Sequence, residues 1–138
     1  QLWKDEAITY EGKWHKVTDA GVNPLPVNKN IPIWLGGTAP QVIDRVARIA
    51  VGWFPFVAKA LGSQIQQMYE RAKVAERNPS TIGIECIVPL STTVDKIKSL
   101  QDQGVTQVAI VTMNQNLEKP HDHIDAIKQT RENLAAYF

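Results

Sequence analysis

The segment best suited to chemistry is Ile33-Trp34-Leu35-Gly36-Gly37-Thr38-Ala39-Pro40, where an apolar run passes through two glycines into the start of a helix. That arrangement suits an anion. The first amides of a helix lack intrahelical partners and point outward, with the positive end of the helix dipole behind them. Glycines let a phosphate approach the backbone with no Cβ in the way, and Thr38 adds a hydroxyl. The same two glycines equally suit a tight turn that needs positive φ, and on their own they do not separate the two readings. Gly52-Trp53-Phe54-Pro55 opens the next apolar run. In a parallel sheet its carboxyl end neighbours the Gly36-Gly37 turn, the edge where ligands bind in such folds. Its aromatic rings either pack on a planar cofactor and fence its phosphate tail, or simply fill a core strand.

Other reactive side chains are sparse. His15 sits in a hairpin between Lys13 and Lys16 and reads as solvated. In Pro120-His121-Asp122-His123, two histidines one residue apart at a helix start point their rings apart, and Asp122 reads as an N-cap, so no metal site is expected. Cys86 lies mid-strand, with no neighbouring histidine or basic run to activate a thiolate. Glu85, beside it, either faces a ligand or lies on a polar seam. No nucleophile elbow, Walker loop or zinc spacing is present, so no catalytic residue is assigned.

Composition narrows the classes. A chain of 138 residues with 43% hydrophobic content and a formal charge of +1 is unlike a disordered segment. Near-neutrality provides no surplus of cations for phosphate backbones, which argues against nucleic-acid binding. No apolar run approaches the ~20 residues of a membrane helix, and no membrane association is expected. A single cysteine cannot form an intrachain disulfide, which points to a reducing cytoplasm. The chain opens on Gln1-Leu2-Trp3 rather than Met, as a piece of something longer would.

The elements that must position these residues follow from periodicity. Ile8–Glu11 and Trp14–Val17 flank Gly12 as a hairpin, and Asn23-Pro24-Leu25-Pro26-Val27 is an extended connector. From residue 31 the pattern alternates. Strands are expected over Ile31–Leu35 (buried on both faces), Gly52–Phe56, Ile82–Leu90 and Gln107–Thr112. Between them, one helix is capped by Thr38 with Gln41 as its capping-box partner, and carries Val42, Ile43, Val46, Ala47 and Ile49. A second is capped by Ser63 with Gln66, carries Leu61, Ile65, Met68, Tyr69 and Ala72, and is stopped by Asn78-Pro79. A third is capped by Thr92 or Thr93 and closed by Gly104. The last runs from Pro120 with Ile124, Ile127, Leu134 and Phe138 on one side. A hairpin region over residues 1–30 thus precedes four βα units over 31–138, an α/β arrangement of parallel strands with right-handed crossovers.

Tyr10-Glu11-Gly12-Lys13-Trp14-His15, Asn23-Pro24-Leu25-Pro26-Val27, Ile31–Ala39 and Gly52-Trp53-Phe54-Pro55, in this order and spacing, resemble the luciferase-like monooxygenase superfamily, and most closely its deazaflavin-dependent branch. The resemblance spans essentially the whole chain and implies the C-terminal half of a (β/α)8 TIM barrel. It implies a flavin (FMN) or deazaflavin cofactor, undecided between the two, with its phosphate held by backbone at Gly36, Gly37, Thr38 and Ala39. Gly52 and Trp53 would stand beside that phosphate. The hairpin around Gly12 corresponds to an insertion over the barrel mouth. The family's acidic residue before the Gly-Trp pair is Val51 here. Its isoalloxazine contacts and acid/base histidine come mostly from the first four strands, so the chain alone is expected to be inactive. Four βα units expose two sheet edges. The expectation is closure by self-association, as a dimer, or by pairing with an N-terminal half-barrel. The alternative function is a non-catalytic half-barrel that serves as a binding or assembly module.

Overall fold

The computed structural model describes residues 1–135 and 137, and the chain divides into two compact units, Gln1–Pro32 and Ile33–Phe138. In the first, β1 (Ile8–Glu11) pairs antiparallel with β2 (Lys16–Ala20), Tyr10 standing opposite Val17. The Gly12 amide donates to the His15 carbonyl at 2.9 Å. That closure places Trp14 and His15 in the turn, so β2 starts two residues later than the apolar run suggests. The prolines keep the following connector out of regular structure until the Lys29 amide returns to the Pro26 carbonyl at 2.9 Å.

The second unit holds strands β3 (Trp34–Gly36), β4 (Gly52–Phe54), β5 (Gly83–Pro89) and β6 (Gln107–Val111), all parallel and ordered as in the chain. Helices α1 (Pro40–Ile49), α2 (Leu61–Val74), α3 (Val94–Asp102) and α4 (Pro120–Ala135) follow them in turn. Neighbouring parallel strands joined by right-handed crossovers put every helix on the same face. There, Ile43, Val46 and Ala47 of α1, Leu61, Ile65, Met68 and Ala72 of α2 and Leu100 of α3 bury Trp53, Ile84, Cys86 and Val88. Side chains alternate along a strand, so Trp34, Gly36, Phe54, Gly83, Glu85 and Ile87 occupy the opposite face. Trp34 confirms this. Its indole lies across the backbone of Gly52 and Gly83, its register partners on the next two strands, and its ring centroid is 4.9 Å from that of Phe54.

Several local expectations are corrected. The first strand of the sheet covers Trp34–Gly36 rather than Ile31–Leu35, because Pro32 carries no amide for a ladder. It is not buried on both faces: Trp34 and Leu35 are half-buried and Gly36 is exposed, as befits an edge. Thr38 does not cap α1. Pro40 forces its predecessor into extended backbone, so Ala39 (φ −64°, ψ 145°) takes the N-cap position with no side-chain hydrogen bond. Ser63 lies inside α2, its hydroxyl donating to the Ala60 carbonyl at 2.8 Å. Thr93, by contrast, accepts from the Lys96 amide at 3.3 Å as an N-cap should, and Gly104 follows α3 with φ +103°. On α4, Ile124 and Ile127 are exposed and no residue is buried; Phe138 lies outside the described residues.

Candidate functional site

The carboxyl ends of parallel strands share one edge of the sheet, and the Gly36-Gly37-Thr38-Ala39 turn lies there. Gly37 adopts φ +105°, a conformation other residues enter only with strain. Two bonds hold it. Its amide donates to the Phe54 carbonyl at 3.1 Å, and its own carbonyl accepts from Trp53 Nε1 at 2.7 Å. Trp53 is fully buried, so a core side chain fixes the turn from beneath. Beyond this clamp, the Thr38, Ala39 and Gln41 amides and the Thr38 hydroxyl have no protein acceptor among the described residues. Three backbone donors and one hydroxyl thus stand together at the start of α1, the kind of group that suits an anion. Gly36 keeps the adjoining space clear, since a Cβ there would meet nothing nearer than the Phe54 carbonyl oxygen at 3.9 Å.

The other half of the expected cradle is distributed differently. The register sets Gly52 opposite Trp34 at the amino end of β4, whereas Phe54 stands opposite Gly36 at its carboxyl end. Gly52 is glycine because the Trp34 indole occupies the space a side chain would need. Trp53 touches the turn through its indole nitrogen and from below. Val51 is exposed, and its amide is bonded to the Ile33 carbonyl at 2.9 Å.

Further groups line the sheet. Glu85 is half-buried on the face away from the helices, in register with Gln107, and has no ion-pair partner among the described residues. Burial, with a smaller contribution from the Glu85 charge, pushes the Cys86 thiol pKa up, so this buried cysteine is held as the unreactive thiol. Just beyond the carboxyl end of β6, His123 Nδ1 and Thr112 Oγ1 lie 2.9 Å apart. No sequence spacing points to that pair, because an irregular loop separates its members. Asp122 is the third residue of α4, not its cap; its carboxylate accepts from the Lys119 amide at 3.0 Å and lies 3.1 Å from His121 Nε2. Among the described residues no cluster of metal-ligating side chains occurs. A cavity of about 670 Å³ lies at the other edge of the sheet, between Tyr69, Ile82, Ile97, Val105, Val108 and Leu134. Its walls come from α2, α3, α4 and β6, and none of its lining residues belongs to the turn.

The family profile of luciferase-like monooxygenases matches residues 1–136. The chain belongs to that family. Over 53 residues, 38% of the chain and 16% of the relative, it is 38% identical to an F420-dependent glucose-6-phosphate dehydrogenase of Microbacterium testaceum. It is 28% identical to an uncharacterized protein of Mycobacterium bovis over 98% of the chain, which spans only 48% of that relative. Among solved structures, the coenzyme F420 dependent tetrahydromethanopterin reductase of Methanopyrus kandleri superposes on the whole chain with a TM-score of 0.75 at 16% identity, covering 60% of the reductase chain. At that identity the likeness is one of fold. The luciferase-like chain thus has the architecture of a partial TIM barrel, and it spans about half the length of the curated relative that it matches from end to end.

Proposed function

We propose that this chain forms the cofactor-phosphate side of a flavin- or deazaflavin-dependent oxidoreductase of the luciferase-like family, active once a full barrel is assembled. One observation carries the reading: the Gly36–Ala39 turn, clamped by Trp53, presents the Thr38, Ala39 and Gln41 amides and the Thr38 hydroxyl with no protein acceptor among the described residues. FMN and coenzyme F420 both carry a phosphate that such donors suit, and relatives named above use F420. The bound cofactor supplies the redox chemistry. In this reading Thr38, Ala39 and Gln41 bind the phosphate, Gly36 leaves it room, and Gly37 with Trp53 hold the donors in position. Gly52 acts only indirectly, by seating Trp34. Proton transfer falls to groups outside this chain, on the half-barrel that completes it.

The reading is tested by titrating the chain with FMN and with coenzyme F420, following cofactor fluorescence. Saturable binding is expected for at least one of them. Gly36→Val should weaken it at least tenfold while the circular dichroism stays unchanged. Absence of saturable binding for both cofactors, or unchanged binding by a folded Gly36→Val chain, overturns the assignment.

A further inference from the structure

Positive charge is unevenly placed on this chain. Over the whole sequence the formal net charge is only +1. Yet a groove of about 400 Å³ between α1 and α2 is lined by Arg45, Arg48 and Arg71 against a single acid, Asp44. Arg48 holds that acid at 2.8 Å, which leaves the other two guanidinium charges uncompensated within the groove. Arg45 is exposed and has no ion-pair partner among the described residues. Arg71 is half-buried and reaches across from α2, donating through Nη1 to the Pro40 carbonyl at 2.5 Å. That bond fixes its planar fork at the head of the groove. The head is formed by Pro40 and Gln41, and the Gln41 amide is one of the free donors at the turn. The groove therefore begins where those donors end.

The layout of the cations defines the ligand. Gln41, Arg45 and Arg48 follow one another at helical spacing on one flank of α1 and spread over roughly 10 Å of its axis. A lone phosphate needs donors that converge on a point. Cations strung along a line suit a ligand with several charges in a row. Guanidinium groups meet carboxylates with paired N–H bonds, so a chain of carboxylates is the matching chemistry. FMN ends at its phosphate, whereas coenzyme F420 carries a chain of glutamates beyond it. We propose that the α1–α2 groove receives a carboxylate-bearing extension of the cofactor, and that Arg45, Arg48 and Arg71 thereby select coenzyme F420 over FMN. This role rests on the phosphate reading of the Gly36–Ala39 turn and adds the direction in which the cofactor leaves it. Both walls of the groove belong to this chain. Exposed ion pairs are individually weak, so the selection is collective and sensitive to salt.

Three ligands separate the contributions: FMN, coenzyme F420 stripped of its glutamates, and coenzyme F420 with its full tail. Titrations at low salt, followed by cofactor fluorescence, should show the tailed form binding at least fivefold tighter than the stripped form and tighter than FMN. That advantage should shrink as salt rises. Arg45→Gln combined with Arg48→Gln should remove it while the stripped form binds as before. Arg71 is kept because it also holds Pro40. Gly36→Val, by contrast, should weaken both forms of the coenzyme, and circular dichroism checks that each variant is folded. A stripped form that binds as tightly as the tailed one, FMN that does so, or an advantage that survives the double substitution overturns the groove assignment and leaves the phosphate reading standing. Absence of binding by all three ligands overturns both.

Discussion

At the scale of single residues, the positions that look most chemical and those that set the geometry are largely different. Gly52 serves Trp34: a methyl group at position 52 collides with the indole that spans β3, β4 and β5. Gly52→Ala is therefore expected to lower stability by about 1–3 kcal/mol, as overpacking does, whereas Gly36→Ala, with open space around it, should be close to neutral. Thermal unfolding followed by circular dichroism separates the two. Arg77 shows the same principle through polar groups. Its guanidinium donates to the Val46, Ala47 and Ala50 carbonyls at 3.2, 2.9 and 2.6 Å, closing the carboxyl end of α1. Arg77→Ala should cost about 2 kcal/mol in urea unfolding, with Arg77→Lys recovering only part because one ammonium cannot reproduce the fork. Cys86 adds a pH dependence. Its folded pKa is raised by burial, so its contribution is complete below the ordinary thiol range and is lost as pH rises through that range toward the folded value. Unfolding midpoints measured on either side of the ordinary thiol pKa should fall on the alkaline side, and Cys86→Ala should flatten that drop.

At the scale of elements, helix starts decide which polar side chains are free. Thr93 is consumed by its own helix, whereas Thr38 is released because Pro40 moves the α1 cap position to Ala39. Thr93→Ala should therefore destabilise by about 1 kcal/mol, the usual cost of a lost N-cap. Thr38→Ala should leave the unfolding midpoint nearly unchanged while weakening phosphate binding. Measuring stability and FMN or F420 affinity on both variants distinguishes a capping threonine from a binding one. Both sites have a Thr at the mouth of a helix, and the difference lies two residues further on, Pro40 in one and Asp95 in the other.

At the scale of the whole second unit, stability is uneven along the sheet. β4 and β5 are central strands covered by α1, α2 and α3, while β6 is an edge and α4 buries none of its described residues. Local opening follows burial. Amide exchange followed by mass spectrometry should accordingly find α4 and β6 exchanging well before β4 and β5. Uniform exchange across the unit would contradict this gradient.

Periodicity alone determined the hairpin, the four βα units, the apolar faces of α1 and α2, a threonine cap on α3 (Thr92 or Thr93, of which the structure selects Thr93) and the glycine turn, because each is written in residues only a few positions apart. The turn-plus-aromatic motifs also carried the family, since their order and spacing are legible along the chain. Tertiary structure decided the rest. It showed Gly52 as the seat of Trp34, Trp53 as the clamp on Gly37, Arg77 as the closure of α1, and His123 beside Thr112. Each of these joins residues 11 to 31 positions apart. Strand alternation assigns a face, but only sheet register and helix packing say which face is covered. For that reason Glu85 was ambiguous in the sequence and became, in the fold, a half-buried carboxylate on the uncovered side of the sheet.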